Sequence, residues 1–98
     1  MAEWQAGFNQ IDAGVDQCAA EIREMRRYLH AHPEPSGEEF RTTAYLVERV
    51  SELPGVEYRL GPEGRGLIVD FPSPRARRRL AFRADIDALR LQDEKTVT

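Results

Sequence analysis

The chain has 98 residues, the size of one small domain or of part of a larger one. Hydrophobic residues make up 41% and charged residues 32%, as in ordinary globular proteins, and the formal net charge of -3 argues against a nucleic-acid partner. No apolar run approaches the ~20 residues of a membrane span, and no secretory signal opens the chain. We therefore expect no membrane contact and a cytoplasmic location. A single cysteine excludes an internal disulfide.

The first predicted element is a long amphipathic helix. Alternating steps of four and three residues separate its apolar positions, which are Ile11, Val15, Cys18, Ile22, Met25 and Leu29. Pro33 disfavours helical geometry at His32, so the helix should end near His30 to Ala31, after a frayed start over residues 1–8. Cys18 lies on the apolar stripe and is expected to be a small buried hydrophobe.

A second helix is predicted after a short proline-containing turn. Ser36-Gly37-Glu38-Glu39 matches a capping box, with Ser36 as the N-cap and Glu39 reaching back to it. The apolar face of this helix would comprise Phe40, Ala44, Val47 and Val50, and Pro54-Gly55 should end it.

The hydrophobic period then changes to two, which predicts strands. Residues 56–60 alternate as a half-buried strand, residues 61–64 form a turn, and residues 66–71 are a short apolar run typical of a buried strand. A third strand is predicted at Leu80–Ala84. The fold class is therefore α/β, with two N-terminal helices packed on a partial mixed sheet of about three strands.

Asp85 and Asp87 are the sharpest candidate functional residues. Side chains two apart on a strand point to the same side, and two carboxylates so close repel unless a cation lies beside them. The alternative is a surface ion pair with Arg83, worth ~0–1 kcal/mol. His30 and His32 form a pair that could bind metal, but a helix terminus explains them as well. The arginines at positions 75, 77, 78 and 79 are best explained as a solvated loop.

Two segments together resemble a known family. Leu29-His30-Ala31-His32-Pro33-Glu34, followed by residues 36–39, resembles the first helix junction of the aminoacylase, hippurate hydrolase and auxin-conjugate hydrolase family of metal-dependent amidohydrolases. Residues 80–89, Leu-Ala-Phe-Arg-Ala-Asp-Ile-Asp-Ala-Leu, resemble that family's Leu-Arg-Ala-Asp-Met-Asp-Ala-Leu-Pro signature. The chain departs from this signature at Arg90, where the family has proline.

The resemblance implies the start of a zinc-peptidase-like catalytic domain, here residues 1–98, without the inserted lid or dimerisation domain and without the rest of the catalytic domain. Full-length members use two divalent metal ions, zinc or manganese, to activate a water that cleaves the amide bond of N-acyl amino acids. Asp87 matches an aspartate that orients a metal-binding histidine, and Asp85 sits at that histidine's place. The metal ligands are expected after Thr98, so this segment should bind no metal tightly and be inactive alone.

Two alternatives to the amidohydrolase hypothesis remain open. The chain could be a non-catalytic interaction module whose helices and sheet dock another chain, or a degenerate gene product without function. For the amidohydrolase, the partner would be a small N-acyl amino acid, and a homo-oligomer is compatible with the family.

Overall fold

The computed structural model describes residues 3–75 and 77–91. The chain divides into two units, one containing the first helix and the other beginning at His32. Helix α1 spans Glu3–Ala31 and makes up the described part of the first unit. Its end at Ala31 confirms the effect predicted for Pro33. The predicted frayed start is wrong for residues 3–8, which are already helical.

The apolar stripe of α1 is largely exposed in the structure. Ile11, Val15 and Ile22 are all exposed. Cys18 is exposed as well, so the expectation that it is buried is wrong. The physical reason is that Cys18 shares its stripe with these uncovered side chains, and periodicity predicts which residues share a face but not what covers that face.

The described part of the second unit contains one α-helix and a β-hairpin. Helix α2 spans Phe40–Ser51 and is followed by strand β1 at Glu57–Leu60, a 3-10 turn at Pro62–Gly64 and strand β2 at Leu67–Asp70. The two strands pair antiparallel, with Glu57 opposite Asp70 and Leu60 opposite Leu67. Helix α2 contacts both strands. The structure thus confirms an α/β chain with two helices and a hairpin.

The third strand predicted at Leu80–Ala84 is not present among the described residues. This segment has no strand partner, and Leu80 and Phe82 are 87% and 95% exposed. A strand exists only where a second chain segment accepts and donates its backbone hydrogen bonds, and alternation in the sequence does not supply that partner. The sheet described here is therefore two-stranded and antiparallel, not a mixed sheet of three strands.

The contact between α2 and the hairpin is polar at its most buried point. Thr42 and Thr43, at 4% and 2% exposure, are the two buried residues of the described chain. The Thr43 hydroxyl donates to the Glu39 carbonyl at 2.6 Å and accepts the Gly66 N–H at 2.9 Å. The apolar face predicted for α2 is thus only partly right, because Phe40 and Ala44 are exposed.

Candidate functional site

The two segments that carry the family resemblance meet in the second unit. The Ala88 N–H donates to the backbone carbonyl of Glu34 at 2.8 Å, and Pro35 and Ala88 form a parallel β-bridge. We call this contact the Glu34–Ala88 junction. It attaches the residue directly after Asp87 to the turn that precedes α2.

A tight turn places Glu34 and Pro35 at the start of α2. The Glu38 N–H donates to the Pro35 carbonyl at 2.9 Å, and Gly37 has φ +85. A positive φ at the third position is typical of a type II turn, where glycine avoids the cost that a Cβ would impose. Arg65 holds the turn from the other side, donating to the Gly37 carbonyl at 2.7 Å.

The side chain of Glu34 caps α2. Its Oε1 accepts the Thr42 N–H at 2.5 Å and its Oε2 accepts the Arg41 N–H at 3.2 Å. These N–H groups belong to the first turn of the helix, where no carbonyl of the helix itself can accept them. A carboxylate there also complements the positive end of the helix dipole.

The predicted capping box at residues 36–39 is wrong. Glu39 occupies the N-cap position and makes no capping hydrogen bond with its side chain. Within the described chain, Glu39 Oε1 is buried without a hydrogen-bond partner. The capping box does not form because the Glu34 carboxylate already accepts the N–H groups of Arg41 and Thr42 at the start of the helix.

The environment of Glu34 stabilises its charged form. Partial burial acts to raise the pKa of this carboxyl, but hydrogen bonds from Thr42 and Arg41 and the positive charge of Arg41 lower it. The net result is a pKa below the usual value of about 4.5. Glu34 is therefore an ionised structural anchor at neutral pH, a role that reasoning from the sequence missed.

Asp85 and Asp87 lie on a segment without helix or strand, beside the junction. Both are exposed, whereas the alternate residues Ile86 and Ala88 are partly buried, so the two carboxylates lie on its exposed side. Asp85 pairs with Arg83 at 3.5 Å, and the two side chains are 76% and 92% exposed. The structure thus shows the surface ion pair that was considered for Asp85, and the functional roles of Asp85 and Asp87 both remain predictions.

The described residues contain no group of three His, Cys, Asp or Glu side chains arranged to hold a metal ion. The donors that the sequence offered, including His30 and His32, are not brought together in such a group. A catalytic zinc ion needs about three protein ligands. The residues described here therefore do not make a metal centre by themselves.

Among the described residues, no helix has the length and apolar character required to cross a membrane.

Residue 90, where the chain departs from the resembled signature, makes a contact of its own. Arg90 Nη2 donates to Glu38 Oε2 at 2.7 Å, with both side chains well exposed. The arginine therefore ties the loop after Asp87 to the same turn that Glu34 anchors.

The arginines at positions 75, 77, 78 and 79 lie in an exposed loop, as predicted.

Comparison with curated proteins finds relatives that are several times longer. The chain is 38% identical over 88 residues to a Bacillus subtilis protein named "Putative amidohydrolase YhaA", covering 90% of this chain and 22% of that protein. It is 33% identical over 87 residues to the N-acyl-L-amino acid amidohydrolase of Geobacillus stearothermophilus, covering 89% of this chain and 23% of the relative. The chain thus spans about a fifth of the length of these relatives.

Other relatives are named mostly for similar chemistry. At 33% to 37% identity the chain matches proteins named N-acetyldiaminopimelate deacetylase and N-acetyl-L-cysteine deacetylase. A Rhodococcus jostii protein named for glutamate–cysteine ligation is 48% identical over 66 residues, but these cover 67% of this chain and only 8% of that protein. Its name therefore says little about the aligned segment. No family model and no solved structure matches the chain.

Proposed function

Because the chain belongs to the family of amidohydrolases and N-acyl amino acid deacetylases that it matches, we propose that it is part of a hydrolase that cleaves the amide bond of N-acyl amino acids. The reaction adds water across the carbonyl–nitrogen bond and releases a carboxylic acid and a free amino acid. The observation that carries this proposal is the identity of 33% to 38% to proteins named for this chemistry, over 71% to 90% of the chain.

Within that hydrolase, the chain forms part of the catalytic domain and contributes Asp87 to the edge of the active site. Two features support this role. The residues around Asp87 carry the more specific part of the resemblance, and the Glu34–Ala88 junction holds them against the turn before α2. Asp87 is exposed and so is available to residues from elsewhere in the protein.

Two divalent metal ions, zinc or manganese, are part of the proposal through the resemblance alone. The described residues do not fit a metal centre, since no suitable group of three donors exists among them. We therefore assign no step of the reaction to a metal held by this segment. Its proposed contribution is to position a carboxylate beside ligands that other residues of the protein supply.

A stand-alone interaction module is less well supported. No hydrophobic side chain of the described residues is buried, whereas a domain that folds alone needs a hydrophobic core. Exposed apolar side chains, Leu80, Phe82 and Leu89 among them, instead suit a segment that further polypeptide of the same protein covers.

The proposal is tested with the purified protein that contains these residues. It is incubated with N-acetyl and N-benzoyl amino acids, and release of the free amino group is measured. N-acetylated amines without a carboxylate serve as matched control substrates. We expect amine release from the amino acid conjugates, loss of activity with a chelator, and recovery on adding zinc or manganese. Absence of amine release from every conjugate, with either metal present, would overturn the proposal.

A further inference from the structure

Glu34 makes two sets of contacts with different parts of the second unit. Its carboxylate accepts the N–H groups of Arg41 and Thr42 at the start of α2. Its backbone carbonyl accepts the N–H of Ala88, the residue after Asp87. One residue thus joins the end of a helix to the segment that carries the candidate carboxylate.

The carboxylate contacts restrict the direction of the carbonyl. A glutamate bound through both oxygens to a helix N-terminus loses most of its rotational freedom, and the position of its own peptide group follows from that anchoring. Pro35 further restricts the backbone conformation of Glu34, because the residue before a proline favours extended conformations. The Glu34 carbonyl therefore presents a fixed acceptor to Ala88.

Few other contacts in the described chain hold the segment around Asp87. Phe82 and Leu89 are exposed, and the Arg83–Asp85 pair lies within the segment itself. The Arg90–Glu38 pair is exposed, where such pairs contribute little. Ile86, next to Asp87, is partly buried, and the Glu34–Ala88 hydrogen bond supplies the backbone contact that attaches this segment to the turn before α2.

We propose that Glu34 is a positioning residue for Asp87: its carboxylate, fixed at the N-terminus of α2, holds the carbonyl that anchors Ala88 and so sets the place of the neighbouring Asp87. The consequence for catalysis rests on the proposed function, whereas the anchoring itself does not. Glu34 does not touch the reacting atoms in this scheme and acts only through the segment it holds.

The test compares Glu34→Gln and Glu34→Ala with the unaltered protein by residue-resolved hydrogen exchange. Glu34→Gln keeps the size of the side chain, so the fold is retained, and Glu34→Ala removes every side-chain contact. The matched control is Glu24→Gln, the same chemical change on α1. Loss of a helix cap raises the equilibrium constant for local opening of the helix end by roughly 5- to 30-fold. In Glu34→Gln we expect the amide exchange rates of Arg41, Thr42 and Ala88 to rise by that factor. The rates should rise further in Glu34→Ala and stay unchanged in Glu24→Gln.

The exchange rate at Ala88 separates positioning from simple capping. Faster exchange at Arg41 and Thr42 with Ala88 unchanged would overturn the proposal, because Glu34 would then only cap α2. Unchanged exchange at all three residues would overturn it as well. Faster exchange at Ala88 in a protein that hydrolyses no conjugate would uphold the anchoring and reject the proposed function.

Kinetics test the consequence for Asp87. In a protein that hydrolyses N-acyl amino acids, Glu34→Gln should lower kcat with little change in KM. The same substitution made together with Asp87→Asn should lower kcat no further than Asp87→Asn alone, because both act through one carboxylate. Additive losses would show that Glu34 does not act through Asp87 and would overturn the proposal.

Discussion

The N–H of Ala88 donates a 2.8 Å hydrogen bond to the backbone carbonyl of Glu34, so that two segments far apart in the chain meet at one peptide group. Each carries half of the resemblance to the amidohydrolases. Their contact gives a physical reason why the two segments should occur together, since one holds the other in place.

The anchoring by Glu34 should depend on pH. Its pKa is below the usual value of about 4.5 in the folded chain, so the ionised carboxylate contributes stability above that pH and loses the contribution as the pH falls through its folded pKa. Glu34→Gln should therefore reduce the free energy of unfolding at neutral pH and have little effect well below the folded pKa. Urea titrations of the protein that contains these residues, at the two pH values, measure this, and an equal reduction at both would contradict the assignment.

Thr43 should stabilise the packing of α2 on the hairpin through its hydroxyl. Thr43→Val keeps the shape of the side chain but leaves the Gly66 N–H without its acceptor, which costs about 1–3 kcal/mol. Thr43→Ser retains the hydroxyl and should lose less. Denaturant unfolding of the two variants measures the difference. A valine variant as stable as the serine variant would rule out this role for the hydroxyl.

Gly61 should be intolerant of any side chain. A Cβ at this position would lie 2.2 Å from the carbonyl oxygen of Arg65, in the turn where the Gly61 N–H donates to the Gly66 carbonyl. Relieving that overlap requires the backbone to shift, so Gly61→Ala should destabilise the hairpin by about 1–3 kcal/mol. Gly14→Ala is the matched control, because a Cβ there meets nothing within 4 Å and alanine should stabilise α1 by about 1 kcal/mol. Equal effects on thermal unfolding would refute the argument.

Arg90 and Glu38 should be coupled only weakly. Both side chains are well exposed, so a double-mutant cycle with Arg90→Gln and Glu38→Gln should give about 0–1 kcal/mol, and less at high salt. Unfolding measurements at low and high salt test both statements. A larger, salt-independent coupling would mean that the pair is buried in the working protein.

The sequence predicts well those features that depend on neighbouring residues. Pro33 ends α1 within the predicted residues, and the change of period after Gly55 predicts the positions of both strands of the hairpin, although β1 is exposed along its length and not half-buried as predicted. The features it does not predict depend on distant partners. The carboxylate that caps α2 comes from Glu34, outside the local capping box, and Leu80–Ala84 alternates like a strand but pairs with no strand among the described residues.

At the candidate site, too, the sequence predicts what neighbouring residues determine and not what distant partners determine. Spacing predicts that Asp85 and Asp87 lie on one side of a strand end; in the structure the segment is not a strand, but both residues are exposed and alternate with the partly buried Ile86 and Ala88. Spacing does not reveal that Asp85 pairs with Arg83, nor that Ala88 is attached to Glu34, because both outcomes depend on the backbone path. A carboxylate a few residues before a helix start is the one signal that could have pointed to Glu34.

The effect of Asp87→Asn on amide hydrolysis tests the account most directly. The asparagine keeps the size of the side chain and removes the charge, and an aspartate that orients a metal ligand typically contributes about 10- to 100-fold. In the protein that contains these residues, we predict a loss of that size in kcat for an N-acetyl amino acid, with Asp16→Asn on the exposed side of α1 as the unaffected control. Equal rates for Asp87→Asn and the unaltered protein would contradict the account.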